Sequence, residues 1–137
     1  MFNTVLFPID RSRESREAAD KVLNIVQTYK ARLVLVSVVP KPPEGEDSPP
    51  PEGMMSPELV AELLKNAQDV FSQQGIKSEI IEREGQPAFV ICDVADEIEA
   101  DLIVMGSRGM GLTEEGATES VTSLVINLSP CPVLIVP

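Results

Sequence analysis

The feature of this chain best suited to chemistry is a group of glycines that follows an apolar run. Residues 102–104 read Leu-Ile-Val, and Gly106, Gly109 and Gly111 come soon after them. Glycines let backbone N–H groups approach an anion because no Cβ stands in the way, and a helix N-terminus behind them adds a favourable dipole. Asp10 directly follows the first apolar run, residues 5–9. Together these residues predict a ligand crevice at the carboxyl ends of parallel strands, where open α/β sheets bind nucleotides.

The charge and composition of the chain exclude several classes of partner and of catalytic site. The chain has 137 residues, of which 22 are Asp or Glu and 11 are Lys or Arg, giving a formal charge of −11. A field of that sign repels phosphate backbones and anionic membranes, so we expect neither nucleic acid nor a membrane as a partner. A nucleotide must then be held by local backbone dipoles. The chain has no histidine, which excludes Ser-His-Asp and Cys-His nucleophiles and His-ligated metals, and we expect no metal site.

The two cysteines do not have the spacing of a metal site. Cys92 and Cys131 lie 39 positions apart in apolar surroundings. This pattern favours buried structural thiols over a disulfide or a redox pair in a reducing compartment. The start of the chain has no charged segment or cleavage site typical of a signal peptide, and we expect a cytoplasmic protein.

Hydrophobic periodicity predicts alternating strands and helices in a single domain, residues 1–137. We expect strands at residues 4–9, 33–39, 76–81, 102–105 and 133–136. We expect four helices. The first follows Ser12, the second begins at Ser56-Pro57, the third begins at Pro87, and the fourth includes Val125. The apolar helix faces comprise Ala18, Ala19, Val22, Ile25, Val26 and Tyr29; Val60, Leu63, Leu64, Ala67, Val70 and Phe71; Phe89, Ile91, Val94, Ala95 and Ile98; Val121, Leu124, Val125 and Leu128. Right-handed crossovers place such helices on both faces of a sheet, so we expect a doubly wound five-stranded parallel α/β sheet, Rossmann-like, of order 3-2-1-4-5.

One segment, residues 40–56, does not follow this alternation. It contains six prolines and four acidic residues. A segment so poor in apolar side chains is predicted to be a mobile, partly extended loop. This segment follows the carboxyl end of the second strand. It could be a solvated linker, or it could act as a lid or as a docking segment for a partner.

Three motifs resemble the universal stress protein family. They are residues 5–10 (Val-Leu-Phe-Pro-Ile-Asp) followed by Ser12 and Ser15, residues 101–109 (Asp-Leu-Ile-Val-Met-Gly-Ser-Arg-Gly), and residues 129–136 (Ser-Pro-Cys-Pro-Val-Leu-Ile-Val). Their order and spacing cover the whole chain. The resemblance implies a five-stranded parallel α/β sheet and a homodimer formed through the last strand. Independently, the apolar strand Val133–Val136 with no following sequence to cover its edge predicts pairing with a second copy.

In this family, the members that bind ATP carry a phosphate motif. The motif consists of Gly, any two residues, Gly, any nine residues, and then Gly followed by Ser or Thr. Here Gly106, Gly109 and Ser120 occupy their positions in the motif, but Glu119 replaces the third glycine. A carboxylate there places like charge against a triphosphate, which costs several kcal/mol unless Mg²⁺ or a rearranged loop compensates. Glu114 and Glu115 add to that charge, while Gly116 is an alternative third glycine. The resemblance implies an adenine-nucleotide site formed by Pro8, Ile9, Asp10, Val38, Met105, Gly106, Arg108, Gly109, Glu119, Ser120 and Val121.

Structural roles compete with these binding roles. Asp10 is either a contact near the base or a cap for the first helix. Gly106 and Gly109 suit either phosphate contact or a tight turn. Arg108 is either a phosphate-facing cation or a solvated charge. Ser107 and Ser120 carry hydroxyls that suit contacts with an anion, and Ser120 could equally cap the last helix. Met105 is a core residue as readily as a ligand contact.

Three functions follow from these assignments. The first is reversible binding of ATP, AMP or another adenine nucleotide by a regulatory or sensor module in stress response, without catalytic residues. The second is a dimeric interaction protein that has lost nucleotide binding, with an unidentified protein partner. The third is a slow ATPase in which Asp10 or a glutamate holds Mg²⁺ or orients water.

Overall fold

The computed structural model describes residues 2–9, 13–40, 57–106 and 121–137. Within them the elements run β1 (Thr4–Pro8), α1 (Arg13–Tyr29), β2 (Arg32–Pro40), α2 (Pro57–Gln73), β3 (Ser78–Gly85), α3 (Pro87–Glu97), β4 (Leu102–Gly106), α4 (Val121–Leu128) and β5 (Val133–Val136). The sheet is parallel with the order β3-β2-β1-β4-β5. This confirms the predicted fold and strand order.

The helices cover both faces of the sheet because the strand side chains alternate between two apolar clusters. The α1/α2 cluster contains Val5 and Phe7 of β1 together with buried residues of α1 and α2. The α3/α4 cluster contains Leu6 and the alternate residues of β2 and β4, packed with α3 and α4. The central strands β1, β2 and β4 are accordingly apolar on both faces.

Hydrogen bonds fix the amino end of the two central strands. The Asp101 carboxylate, just before β4, accepts from the N–H groups of Asn3 and Thr4 at 2.8 and 2.9 Å. The Asp101 N–H in turn donates to the Thr4 carbonyl at 2.8 Å. These bonds join β1 and β4 at their amino ends.

Several predicted strand boundaries were wrong by one residue. β1 ends at Pro8 rather than Ile9, β2 runs from Arg32 to Pro40 rather than over residues 33–39, and β4 includes Gly106. The irregular segment predicted at 40–56 therefore loses its first residue to the strand, and residues 41–56 lie outside the described part of the chain.

The largest boundary error concerns β3, which runs from Ser78 to Gly85 rather than over residues 76–81. Ile76 instead completes the end of α2: its N–H donates to the Phe71 carbonyl at 2.9 Å, and the Gly75 N–H donates to Ser72 at 3.0 Å. Gly75 has a φ of 80°, so this is a Schellman motif with glycine in the left-handed position. β3 extends to Gly85 because it pairs in register with the long strand β2, from Leu33↔Ser78 to Pro40↔Gly85. Its own hydrophobic pattern does not predict this extension.

The apolar helix faces were predicted too wide. Four of their members are largely exposed, with exposed fractions of 41, 55, 50 and 46%: Tyr29, Val70, Phe89 and Leu128. Each lies at the margin of a stripe whose centre is buried, as Phe71 and Val125 are. Tyr29 still gains a contact, because its ring meets Phe2 edge-on with centroids 5.3 Å apart.

Candidate functional site

The candidate site lies at the carboxyl ends of β1 and β4. The two strands are neighbours in the centre of the sheet, with Val5 opposite Leu102 and Leu6 opposite Ile103. Along the chain, β1 leads to α1, which contributes to the α1/α2 cluster, whereas β4 leads to α4 on the opposite face. The strand order reverses between these two strands, which is where open α/β sheets form a crevice.

Part of the predicted apolar lining is brought together here. Val38 of β2 and Met105 of β4 belong to the α3/α4 cluster and are only 4 and 3% exposed. Ile9 is equally buried but belongs to the α1/α2 cluster. Val38 and Met105 thus lie on the same face of the sheet, on strands separated by β1, while Ile9 lies on the opposite face.

Three further residues of the predicted site lie in the described part of the chain, each at the end of a strand or the start of a helix. Pro8 is the last residue of β1 and pairs with Val36 of β2. Gly106 is the last residue of β4 and pairs with Val136, so it belongs to the strand. Val121 is the first residue of α4 and is half-buried. The other predicted site residues, Asp10, Arg108, Gly109, Glu119 and Ser120, lie outside the described part of the chain, as do Ser107, Glu114, Glu115 and Gly116.

Sequence reasoning missed two hydroxyl groups at this edge. Ser37 of β2 is 1% exposed, and its Oγ donates to the Ile9 carbonyl at 2.9 Å. Thr122 of α4 is 6% exposed, and its Oγ1 donates to the Gly106 carbonyl at 3.1 Å. The available signal for Ser37 was its position as the one polar residue within the run 33–39, since a buried hydroxyl must find a partner.

The two cysteines differ in burial: Cys92 is buried, whereas Cys131 is half-buried. Both are free, Cys92 in the α3/α4 cluster and Cys131 packed against that cluster. Burial raises the pKa of each thiol; the nearby Asp93 carboxylate raises that of Cys92 further, whereas a hydrogen bond from Ser129 partly lowers that of Cys131. The prediction of a buried, unpaired thiol is therefore confirmed for Cys92, whereas Cys131 is unpaired but only half-buried.

This gives a pH-dependent expectation for Cys131. Its thiolate should form at higher pH than that of glutathione, so alkylation by iodoacetamide at neutral pH should be slower and should rise only as the pH increases. Ser129→Ala removes a hydroxyl that lies 3.8 Å from Sγ and should move the rate profile to still higher pH. A Cys131 profile that coincides with that of glutathione would contradict this account.

Two open grooves lie away from the strand ends. One, of about 960 Å³, is at the amino end of β2 and β3, lined in part by Lys30, Arg32 and Lys77. Arg32 donates there from Nη2 to Glu79 at 2.8 Å, and this pairing lowers the pKa of the Glu79 carboxyl. Another, of about 440 Å³, lies between α1 and Leu134 of β5. Within the described ranges no three acidic or thiol side chains are grouped to hold a metal ion.

No described helix is both long and apolar enough to cross a membrane.

Known proteins share this chain's sequence and architecture. The model of the universal stress protein family matches residues 1–137. A curated universal stress protein of Synechocystis sp. is 63% identical over 137 residues, covering 100% of this chain and 87% of that relative. One of Bacillus subtilis is 32% identical, covering 99% of each chain. A crystal structure of a universal stress protein in complex with cAMP is 27% identical with a TM-score of 0.76, covering 99% of this chain and 97% of that one.

Proposed function

This chain belongs to the universal stress protein family, and on that premise we propose that it is a regulatory module that binds an adenine nucleotide reversibly. The observation that carries the proposal is the meeting of β1 and β4 at the reversal of strand order, with Gly106 at the end of β4. Loops leaving two adjacent strands toward opposite faces open a crevice without any special side chain. The glycine-containing sequence after Gly106 starts at this crevice.

The residue types at the ends of β2 and β4 and directly after β4 suit the two ends of an adenine nucleotide. Val38 and Met105 are apolar side chains on the α3/α4 side of the sheet, and apolar surroundings suit a flat base. At β4, the chain continues from Gly106 into Ser107, Arg108 and Gly109, residue types that offer N–H groups, a hydroxyl and a cation to phosphate. A related structure at 27% identity holds cAMP, which is an adenine nucleotide with a single phosphate.

The roles of Asp10 near the base and of Arg108, Gly109 and Ser120 near the phosphates are part of this proposal. Since the chain carries a charge of −11, local N–H groups rather than a general positive field must attract the phosphates. Mg²⁺, when bound with a triphosphate, would offset the carboxylate charge of Glu119.

Calorimetric titration of nucleotide-free protein tests the proposal. We expect saturable binding of at least one of ATP, AMP and cAMP, competed by an excess of the same nucleotide and weaker for the guanine counterparts. ATP should be titrated with and without Mg²⁺, because a gain with Mg²⁺ is expected from the acidic residues near the motif. Absence of binding by every adenine nucleotide would leave the dimeric interaction protein as the function, whereas release of phosphate from ATP would indicate the slow ATPase.

We also propose that the chain forms a homodimer through β5. This strand is at the edge of the sheet beyond β4, and its Leu134 is 39% exposed beside the groove formed with Asn24 and Ile25 of α1. An exposed apolar edge is usually paired or covered, and an antiparallel pairing about a two-fold axis makes the contact self-complementary.

Leu134→Arg should therefore convert a dimer into a monomer, because two cations would meet across the axis. The measurement is the mass by light scattering at tens of micromolar protein. Val70→Arg is the matched control, since Val70 is 55% exposed on α2, away from β5, and should leave the mass unchanged. A monomeric wild-type protein would refute the dimer.

A further inference from the structure

The groove of about 960 Å³ at the amino ends of β2 and β3 has a charge opposite to that of the chain as a whole. Within the described part of the chain, its charged lining residues are three cations and one carboxylate: Lys30, Arg32, Lys77 and Glu79. The whole chain has 22 acidic residues against 11 basic ones. A local excess of positive charge on an acidic molecule attracts anions to that place rather than to its surroundings.

Two of the three cations have no carboxylate partner. Within the described ranges the groove contains one ion pair, between Arg32 and Glu79, and the Arg32 guanidinium donates to this carboxylate through both Nε and Nη2. Lys30 and Lys77 are exposed and form no ion pair with a described residue. These two lysines are therefore the cations available to an anion that enters the groove.

The turns that follow α1 and α2 place the two lysines at the groove. Lys30 has a φ of 53° directly after α1, where the Ala31 N–H donates to the Val26 carbonyl at 3.1 Å. Lys77 follows Ile76, whose N–H closes the end of α2. A cation near a helix C-terminus also stabilises the helix. That effect explains the sign of the charge at both positions, but it does not explain the polar group that lies beside them.

This group is the hydroxyl of Ser78, the first residue of β3, which also lines the groove. Among the described residues, Ser78 Oγ is the buried polar side-chain atom that has no hydrogen-bond partner. The Ser78 carbonyl, by contrast, accepts from Gln68 Nε2 at 2.8 Å. A buried polar atom without a partner is unfavourable and uncommon in native proteins. An acceptor oxygen brought by a ligand would supply the missing partner.

The rest of the lining suits a small molecule with a short carbon skeleton. Val26 is buried, and Ala31 and Ile76 are half-buried, so they offer apolar surface. The exposed residues Gln27 and Gln74 add amide groups that can donate or accept hydrogen bonds. Small-molecule sites have volumes of about 300–1,000 Å³ and combine apolar surface with a few polar groups in this way.

We propose that this groove binds a small dianion, with one acid group at Lys30, the other at Lys77, and the Ser78 hydroxyl donating to the ligand. The site is separate from the proposed nucleotide site. β2 runs from Arg32 at the groove to Pro40 at the other end of the sheet, which is about 26 Å at a rise of about 3.3 Å per residue. The proposal therefore does not depend on nucleotide binding.

Backbone amide chemical shifts of the isotope-labelled protein test the site, with succinate and pyrophosphate as probes. We expect saturable shifts at residues 74–79 with at least one probe, whereas acetate, which has one carboxylate, should require a much higher concentration. Saturation by succinate alone would assign the ligand to the dicarboxylates, and saturation by pyrophosphate alone would assign it to the phosphate compounds. Shifts that do not saturate, or that are confined to Met105 and Gly106 at the proposed nucleotide site, would overturn the proposal.

Charge-removing variants identify the groups that bind. Lys30→Asn, in which asparagine tolerates the positive φ, and Lys77→Gln should each weaken binding of the saturating probe about fivefold, as for loss of an exposed ion pair. Ser78→Ala should weaken it by a similar factor without lowering the melting temperature. Lys65→Gln is the matched control, because Lys65 is on α2 but not in the groove lining. Unchanged affinity in the variant that lacks both groove lysines, or equal weakening by Lys65→Gln, would refute the site; unchanged affinity in Ser78→Ala would refute the role of the hydroxyl.

Discussion

Glu119→Gly should tighten ATP binding by about 1–3 kcal/mol and adenosine binding by much less. The reason is charge: Glu119 takes the place of the third glycine of the family's phosphate motif, directly before Ser120. A carboxylate beside a triphosphate is unfavourable by roughly this amount in a partly buried site. The measurement is calorimetric titration of both ligands with the wild-type and variant proteins, in the absence of Mg²⁺ so that the metal does not mask the effect.

Two control variants separate the causes. Glu119→Gln removes the charge but keeps the side chain, so it should recover only the electrostatic part of the gain. Gly109→Val should do the opposite of Glu119→Gly and weaken ATP, because a branched Cβ fills the space of the anion and strains any positive φ. Asp10→Ala should weaken both ligands alike. Equal effects of Glu119→Gly on ATP and adenosine would mean that Glu119 does not face the phosphates and that Gly116, or no glycine, completes the turn.

The fold was predictable because its signal is repeated along the chain. Each strand is a short apolar run, each helix has an apolar stripe, and the alternation of the two forces a parallel doubly wound sheet. β5 was predicted at its correct bounds, residues 133–136, because prolines delimit it on both sides. β3 was misplaced because most of its length is polar, Glu82-Arg83-Glu84, and its pairing depends on the neighbouring β2 rather than on its own pattern.

The site was less predictable, for a different reason. The family resemblance implied Val38 and Met105 as site residues, but only the three-dimensional structure shows that they share one cluster while Ile9 belongs to the other. The contacts of Ser37 and Thr122 gave little signal, because serine in a strand and threonine in a helix are common, and their hydrogen-bond partners are backbone carbonyls that are 28 and 16 residues away. Contacts of that range are set by topology and not by local sequence.

The helix stripes show the same limit, and they lead to the largest expected effect on stability. Val70 and Phe71 are adjacent on α2, and both belong to the apolar face predicted from the sequence. The structure separates them: Phe71 is 3% exposed, and Val70 is 55% exposed. The ring of Phe71 meets Phe7 of β1 edge-on, with centroids 6.4 Å apart and an interplanar angle of 88°. Because β1 leads directly to the candidate site, this contact also connects α2 to the strand that positions Ile9.

Phe71→Ala should therefore lower the free energy of unfolding by about 3–5 kcal/mol, the range for deleting a buried aromatic side chain and leaving a cavity. Val70→Ala should change it by less than about 0.5 kcal/mol, as is usual for an exposed position. Urea titrations of the two variants beside the wild-type protein measure both values at one protein concentration, which matters because a dimer gains apparent stability as its concentration rises. Similar losses for the two variants would mean that α2 buries the wider stripe predicted from the sequence. A small loss for Phe71→Ala alone would mean that the Phe7–Phe71 contact does not tie α2 to β1.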